Sequence, residues 1–391
     1  MSRAVALLAV LAVWGCGDPE PECPRVPVKL PTETATLPWV EGAPPGTVMA
    51  RLGERELPLL LDTGFPRSSL SIASLEGQDN TRVTLDLGPV QAGPFQVEPL
   101  IVAQGPSGIL GADVLSRLPI SFEPRRREVS VLPFFTPGTA GTALDVVRPR
   151  ECRDSRLPLM LVSGTVEGEG ATFVLDTGAT GTFIRSTRMA SLSSRARLEG
   201  LRFQTGFAGP ILASAVRVRT LAVGEAETQG TPVLAAPEVD AELDELQSAL
   251  AAACGDGCKA RALDGFLGWS FLREFRVELT GGASADAART LGLSRLEAQD
   301  HWQRDYVGVG IVSQPSASPP GLRVVGFLSP SPAREAGLEL GDVLLTVNGT
   351  PIAQVPSPWA PPGTPVQVTL ERAGQTRTVT VEVRDLLPDP P

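Results

Sequence analysis

The tripeptide Asp-Thr-Gly occurs twice in this chain, and each copy belongs to a longer pattern that repeats with it. Each copy follows an apolar run and is followed later by two apolar residues and a glycine. A single tripeptide carries little information, but two bipartite patterns in the same order predict a duplicated structural unit. The copies are Asp62-Thr63-Gly64, closed by Ile109-Leu110-Gly111, and Asp176-Thr177-Gly178, closed by Phe266-Leu267-Gly268.

The duplication continues beyond the closing glycines, where apolar residues recur at matching positions. They are Val114, Leu115, Leu118, Ile120 and Phe122 in the first copy and Phe271, Leu272, Phe275, Val277 and Leu279 in the second. Gly111 follows Asp62 by 49 positions and Gly268 follows Asp176 by 92, so the second copy carries about 43 additional residues. Because the entropic cost of closing a loop grows slowly with its length, we expect this insertion at the surface.

The insertion also contains the helical pattern of the second copy. Leu243, Leu246 and Leu250 recur at the spacing of one helix face, which favours core packing over a cofactor site. Acidic residues from Glu238 to Asp244 suit the amino-terminal turn of such a helix, so we assign them a structural role. Over the whole chain, 40 Gly and 37 Pro favour strands and turns, for example Ile120–Glu123 turning back into Glu128–Leu132. The predicted fold class is mainly β.

Two carboxylates brought together suit the hydrolysis of peptide bonds without metal or cofactor, because one takes a proton from water while the other gives one to the carbonyl oxygen. Like charges in one site push their pKa values apart, and aspartic proteases are the standard example of this effect. The titration belongs to the pair, so neither aspartate is assigned as base or acid. The single histidine, His301, lies outside any nucleophile motif and reads as a linker residue, which argues against Ser-His or Cys-His catalysis.

Both repeats resemble the retropepsin type of aspartic protease, and two copies in one chain resemble the pepsin arrangement. The resemblance covers about 250 residues and implies two β lobes that face each other across a substrate cleft. It implies that Asp62 and Asp176 form an intramolecular catalytic dyad in a monomer. Thr63 and Thr177 would join the two turns, while Gly64, Gly178, Gly111 and Gly268 would support them.

The first copy departs from the family pattern at Phe65-Pro66, where a small residue is usual, and a bulky ring there would narrow the cleft or shape specificity. The family's substrate-covering tyrosine has no clear equivalent, since the only tyrosine is Tyr306. Gly88–Gly93 and Gly206–Gly209 are candidate flaps. An inactive protein that keeps the two turns as parts of its fold remains an alternative.

The stretch from Tyr306 to Asp385 resembles a PDZ domain of the bacterial periplasmic-protease type. Its motifs are Ala336-Gly337-Leu338, which would cap a short helix, Gly341-Asp342 before a strand, and the hairpin turn Asn348-Gly349. The resemblance implies that amides of Val307, Gly308 and Val309 receive a peptide carboxylate as the peptide adds a strand. The segment 354–363, where a groove-lining helix is expected, is rich in proline, which interrupts a helix. An equal alternative is therefore that the peptide groove is incomplete and the domain serves only as a docking brace, a unit that supports the rest of the protein without binding peptides.

The amino terminus predicts export. Arg3 precedes an apolar stretch from Ala4 to Val13, too short to span a bilayer, and then comes Cys16. The segment Val13–Cys16 resembles a bacterial lipobox, which implies lipidation of Cys16 and a membrane-anchored lipoprotein facing the periplasm or exterior. Cleavage by an ordinary signal peptidase and an uncleaved anchor stay open, because Trp14 is atypical there.

Four further cysteines would remain for disulfides in an oxidising compartment, and three pairings are possible. Cys254 with Cys258 is preferred because it closes a small ring, which leaves Cys23 with Cys152. A zinc site is the competing interpretation, but no metal is predicted, since the only histidine lacks a partner at ligand spacing.

The predicted organisation is a signal peptide (1–15), a Pro-rich tether (16–45), two protease-like lobes (46–145 and 146–300, with a helical insertion near 225–262) and a PDZ domain (301–391). The predicted function is an exported aspartic endopeptidase with protein or peptide substrates. A formal charge of −10 argues against nucleic acid as a partner. The alternatives are an inactive peptide-binding protein of the cell envelope and an enzyme whose lobes pair between molecules.

Overall fold

A computed structural model describes residues 26–76, 82–88, 90–100, 106–133, 141–147, 157–192, 196–205, 209–254, 262–280, 289–297 and 306–389. The predictions for Cys16, Cys23, Cys152, Cys258 and His301 lie outside these residues. The side chain of Cys254 lies outside them as well, so the disulfide pairings stay predictions.

The first repeat consists of short strands with two single-turn helices. In chain order they are β1 (Val28–Lys29), β2 (Ala35–Pro38), β3 (Thr47–Leu52), β4 (Arg55–Leu61), β5 (Ser69–Ser71), α1 (Ile72–Leu75), β6 (Arg82–Asp86), β7 (Gln91–Gln96), β8 (Glu98–Leu100), β9 (Gly108–Leu110), α2 (Ala112–Leu115), β10 (Ile120–Glu123) and β11 (Glu128–Val131). The predicted hairpin of β10 and β11 is confirmed, with Ile120 opposite Val131 and Glu123 opposite Glu128.

The second repeat follows the same order with longer strands and an added helix. Its elements are β12 (Thr142–Val147), β13 (Leu159–Val166), β14 (Glu169–Leu175), β15 (Thr182–Ile184), α3 (Ser186–Ser191), β16 (Leu198–Thr205), β17 (Gly209–Val223), β18 (Ala226–Ala235), α4 (Pro237–Cys254), β19 (Gly265–Leu267), α5 (Trp269–Leu272), β20 (Phe275–Thr280) and β21 (Arg289–Arg295). The mainly β fold predicted from the sequence is confirmed.

One sheet joins the two repeats. Strands β1 and β3–β9 form an eight-stranded sheet in the first repeat, whereas β10, β11 and β2 continue the sheet of the second repeat through the antiparallel pair β10–β20. Ile120 lies opposite Leu279 and Phe122 opposite Val277 in that pair. These matched positions of the sequence repeat are buried in one hydrophobic cluster, which therefore extends across both repeats.

Equivalent strand pairs place the two triplets at equivalent points. Strand β4 ends at Leu61 beside Leu110 of the parallel strand β9, and β14 ends at Leu175 beside Leu267 of β19. The last residues of β4 and β14 are buried on both faces, which explains their unbroken apolar runs. Each triplet therefore begins where a central buried strand leaves its sheet.

The inserted helix α4 packs on the second repeat through the leucines that predicted it. Leu243, Leu246 and Leu250 are buried in the second hydrophobic cluster. Asp244 pairs with Arg185 at 2.7 Å, and Asp240 accepts a hydrogen bond from the Ser186 amide at 3.0 Å. None of the described helices combines the length and apolar composition that a membrane span requires.

The C-terminal unit has its own sheet and core. Its elements are β22 (Val307–Gly308), β23 (Ile311–Ala317), β24 (Pro320–Phe327), α6 (Pro332–Glu335), β25 (Val343–Val347), β26 (Thr350–Pro351), a 3-10 helix (Ile352–Gln354), β27 (Pro365–Arg372), β28 (Gln375–Glu382) and β29 (Arg384–Asp385). Gly337 ends α6 with a φ of +89°, and Asn348-Gly349 turns β25 into β26, as predicted.

The C-terminal unit is anchored in the second repeat. Leu386 and Leu387 are buried in the hydrophobic cluster that also contains the leucines of α4. Buried Arg217 of β17 donates hydrogen bonds to the carbonyls of Leu387 and Gly230. Glu199 of β16 and Ser329 exchange two backbone hydrogen bonds of 3.0 and 3.1 Å.

The predicted tether extends too far toward the repeats. Strand β1 pairs with β7 and β2 pairs with β11, so residues assigned to the tether belong to the sheets. Val26 and Ala35 are both 8% exposed and pack as core residues. Strand β12 likewise begins before the predicted boundary at 145 and pairs with β13 and β21 of the second repeat. These pairings are long-range, which is why a Pro- and Thr-rich composition did not reveal them.

Candidate active site

The structure brings Asp62 and Asp176 into direct contact. Their side chains share a hydrogen bond, and each lies against the glycine of the opposite triplet. A Cβ atom on Gly64 would lie 2.4 Å from the Cγ atom of Asp176, and one on Gly178 would lie 2.1 Å from the Oδ2 atom of Asp62. Only glycine permits this approach, so the third residue of each triplet allows the two carboxyl groups to meet.

Thr63 and Thr177 join the two triplets below the carboxyl groups. The Thr63 hydroxyl donates to the Leu175 carbonyl at 2.7 Å and accepts from the Thr177 amide at 3.1 Å. The Thr177 hydroxyl donates to the Leu61 carbonyl at 2.7 Å and accepts from the Thr63 amide at 3.1 Å. Both threonines are fully buried, and the four bonds hold two turns from different repeats in one arrangement.

Backbone amides orient each carboxyl group within its own turn. The Oδ1 atom of Asp62 accepts hydrogen bonds from Gly64 at 2.9 Å and Phe65 at 3.1 Å. The Oδ1 atom of Asp176 accepts from Gly178 at 2.9 Å and Ala179 at 2.8 Å. The departure at Phe65 therefore keeps the backbone contact that Ala179 makes in the second turn.

The closing glycines lie against the loops that follow the triplets. A Cβ atom on Gly111 would come within 2.6 Å of the Phe65 carbonyl oxygen, and one on Gly268 within 2.1 Å of the Gly181 carbonyl oxygen. The residues after these glycines donate backbone hydrogen bonds to Phe65 and Ala179, at 2.7 and 2.9 Å. Gly111 and Gly268 thus allow the strand ends to support both turns.

A pair of hydrogen-bonded polar residues supports each turn, and neither pair was predicted from the sequence. In the first repeat the Ser68 hydroxyl donates to Asp113 at 2.7 Å and accepts from the Gly111 amide at 3.0 Å. In the second, the Ser270 hydroxyl accepts from the Thr182 amide at 2.8 Å. Ser68 and Thr182 each stand six residues after their aspartates, and Asp113 and Ser270 two after their glycines. Extending the repeat alignment would have found them.

Burial sets the protonation of the pair. It raises the pKa of Asp62 to about 6, although hydrogen bonds from Asp176 and the turn amides oppose the shift. The pKa of Asp176 is raised well above its usual value, first by burial and then by the negative charge of Asp62. The two carboxyl groups accordingly hold a proton in a range where an isolated aspartate has lost it.

Glu242 of α4 adds a third acidic group near the dyad. Its pKa is raised to about 7 by the loss of hydration, by the charge of Asp176 and by that of Glu245. The charge of Glu242 in turn raises the pKa of Asp62. A structural role, predicted for the acidic residues from Glu238 to Asp244, agrees with the contacts of Asp240 and Asp244, whereas Glu242 also interacts with the dyad.

The candidate flap Gly88–Gly93 begins after β6, and the candidate peptide site belongs to the C-terminal unit. Gly88 is in the turn between β6 and β7, while residues 206–208 lie between β16 and β17, outside the described residues. Val307 and Gly308 pair with Asp385 and Arg384. Val309 is 5% exposed, and its carbonyl accepts a hydrogen bond from the Ala333 amide at 2.9 Å.

Two similar β repeats thus each bring an Asp-Thr-Gly turn to a shared carboxyl pair. Residues 162–271 match the family model described as Aspartyl protease, which is less than a third of the chain. That match lies within the second repeat and supports a hydrolase of the peptidase class.

The chain is also similar to a solved structure, a retropepsin-like aspartic protease from Rickettsia conorii. The two are 17% identical, the match covers 35% of this chain and 89% of that one, and the TM-score is 0.22. No curated protein matches the chain.

Proposed function

We propose that this protein is an aspartic endopeptidase whose dyad consists of Asp62 and Asp176. The observation that carries the proposal is the direct hydrogen bond between these two buried carboxyl groups, which come from different repeats of one chain. Both aspartates come from one chain, so the proposed enzyme needs no second copy to complete its dyad. The aspartyl protease match over residues 162–271 supports the same class of activity.

The proposed reaction uses one proton shared by the dyad. The ionised carboxylate takes a proton from a water molecule, whose oxygen attacks the peptide carbonyl carbon, while the protonated carboxyl group donates its proton to the carbonyl oxygen. The tetrahedral intermediate then collapses: the carboxyl group that took the proton from water gives it to the amide nitrogen, and the other carboxylate takes a hydroxyl proton from the intermediate. The C–N bond breaks, a carboxylic acid and an amine are released, and the dyad again holds one proton. The hydrogen bonds that Thr63 and Thr177 make to the opposite turns hold both carboxyl groups in position throughout, which favours catalysis by orientation.

The test is peptide-bond cleavage by Asp62→Asn and Asp176→Asn. Asparagine keeps the shape of the side chain but cannot exchange the proton, so each variant should lose at least about 1,000-fold in kcat/KM on an unfolded protein substrate at pH 3–7. Thermal unfolding of the same samples checks that both variants are folded. Full activity in either variant rejects the dyad, and binding without turnover by the wild-type protein favours the inactive peptide-binding alternative.

We also propose that the C-terminal unit is PDZ-like and docks substrate peptides along β23. Strand β23 is an edge strand of its sheet among the described residues, so a peptide can add a strand beside it. The proline-rich segment 355–363 follows the 3-10 helix without an α-helix, and the unit is anchored in the second repeat, which supports the brace alternative. Fluorescence anisotropy of peptides with free and amidated carboxyl ends decides between them: docking requires tighter binding of the free carboxylate.

Export and lipid anchoring are proposed from the sequence alone, because the first 25 residues lie outside those described. Mass spectrometry of the amino-terminal peptide, from protein purified out of a bacterial membrane fraction, should find a diacylglyceryl group on Cys16. An unmodified Cys16, with the protein released into the soluble envelope fraction, rejects the anchor.

A further inference from the structure

Trp269 differs from its counterpart in the first repeat in a way that reaches the dyad. Each residue follows a closing glycine, but the first repeat has Ala112 where the second has Trp269. Trp269 is 3% exposed, and its indole Nε1 donates a hydrogen bond of 2.7 Å to the carbonyl of Thr177. The methyl side chain of Ala112 has no donor to offer the equivalent carbonyl of Thr63.

The Thr177 carbonyl belongs to the same peptide group as the Gly178 amide. That amide donates to the Oδ1 atom of Asp176 at 2.9 Å. A hydrogen bond to the oxygen of a peptide group polarises the group and strengthens the bond that its N–H donates. A chain of two hydrogen bonds therefore runs from the indole of Trp269 through one peptide group to a carboxyl group of the dyad.

The indole ring is held by aromatic residues of the first repeat. Its ring centroid lies 5.5 Å from that of Trp39 and 6.0 Å from that of Phe122, both in edge-to-face geometry. This packing fixes the direction of the N–H against the turn of the second repeat. Trp269 is thus supported by one half of the molecule while it contacts the catalytic turn of the other.

We infer that Trp269 is a positioning residue that favours the ionised form of Asp176 through the Thr177–Gly178 peptide group, and that Ala112 provides no such support for Asp62. The inference rests on the proposed peptidase function for its kinetic consequence. Its electrostatic consequence, a lower pKa for the pair than the two turns alone would give, holds whether or not the protein cleaves peptides.

The experiment compares Trp269→Phe with Trp39→Phe. Both changes remove one indole N–H from the same aromatic cluster, but Nε1 of Trp39 is buried without a hydrogen-bond partner among the described residues. The basic limb of the pH profile of kcat/KM, where Asp176 loses its proton after Asp62, should move upward by about 0.2–0.4 pH unit in Trp269→Phe, with KM nearly unchanged. Trp39→Phe keeps an aromatic ring in this cluster and leaves the Trp269 N–H in place, so its profile should shift clearly less than that of Trp269→Phe. Equal shifts in both variants, or no shift in either, overturn the inference.

A second measurement does not depend on catalysis. The pH dependence of the unfolding free energy includes the titration of the dyad, and it should show a larger upward shift in Trp269→Phe than in Trp39→Phe. If the protein proves unable to cleave peptides, this readout still tests the inference. Should Trp269→Phe fail to fold, β-(3-benzothienyl)alanine at position 269 keeps the bicyclic shape without the N–H, and an unshifted titration in that variant rejects the role of Trp269.

Discussion

At the scale of single residues, the site depends on the contrast between buried carboxyl groups and the amides that face them. Burial raises the pKa values of Asp62 and Asp176, whereas Gly64, Phe65, Gly178 and Ala179 lower them by hydrogen bonding. Because burial is the largest cause, the pair keeps a proton under mildly acidic conditions. The carboxyl groups of Asp62 and Asp176 together can therefore take up and release one proton under these conditions.

This arrangement makes the stability of the protein depend on pH. The folded state holds a proton on Asp62 with a pKa of about 6, against 3.8 for an ordinary aspartate. The stabilisation is therefore fully present below about pH 4 and is lost as the pH rises through 6, to the extent of about 3 kcal/mol. We expect the wild type to lose at least about 2 kcal/mol relative to Asp62→Asn/Asp176→Asn between pH 4 and pH 7, because Asp176 with its own raised pKa adds to the loss from Asp62. Urea unfolding across that range measures it, and a constant difference would contradict the assignment.

At the scale of elements, the parts that the sequence predicted are those whose signal is local. The hairpin of β10 and β11, the leucine face of α4 and the turn at Asn348-Gly349 all follow from spacing within a few residues. The triplets were found because they occur twice. The indole bond of Trp269 and the sheet position of β2 join residues about 90 positions apart, and no local pattern encodes such contacts.

The turns themselves give a sharp test. In Gly178→Ala the new methyl group would lie 2.1 Å from the Oδ2 atom of Asp62, so the carboxyl groups must separate. Because a displacement of about 1 Å at a reacting group can cost 100-fold in rate, we expect kcat to fall by about that factor or more.

Gly170→Ala in the adjoining strand β14 is the matched control, since no atom lies within 4 Å of its new Cβ. We expect near wild-type kcat for it. Equal activity in the two variants would show that the close approach at Gly178 does not position the dyad.

At the scale of the whole molecule, the two repeats share a core and a sheet, and the C-terminal unit shares a core with the second repeat. The first hydrophobic cluster includes residues of both repeats, and the second includes Leu386 and Leu387 from the C-terminal unit. Strands β16 and β17, which lead to residues 206–208, both contact that unit, through Glu199 and Arg217. The C-terminal unit is therefore part of the support of the second repeat and of its hairpin.

Leu387→Ala measures this dependence. Leu387 is 0% exposed, so we expect a loss of about 2–5 kcal/mol in the free energy of unfolding. Leu340→Ala is the control, because Leu340 is 67% exposed and its replacement should change stability by less than about 0.5 kcal/mol. Hydrogen exchange shows which strands are destabilised in Leu387→Ala. The amides of β14, which leads into Asp176, should exchange faster than in the wild type, together with those of β27. Faster exchange confined to β27 would mean that the C-terminal unit unfolds without weakening the repeat that carries the catalytic turn.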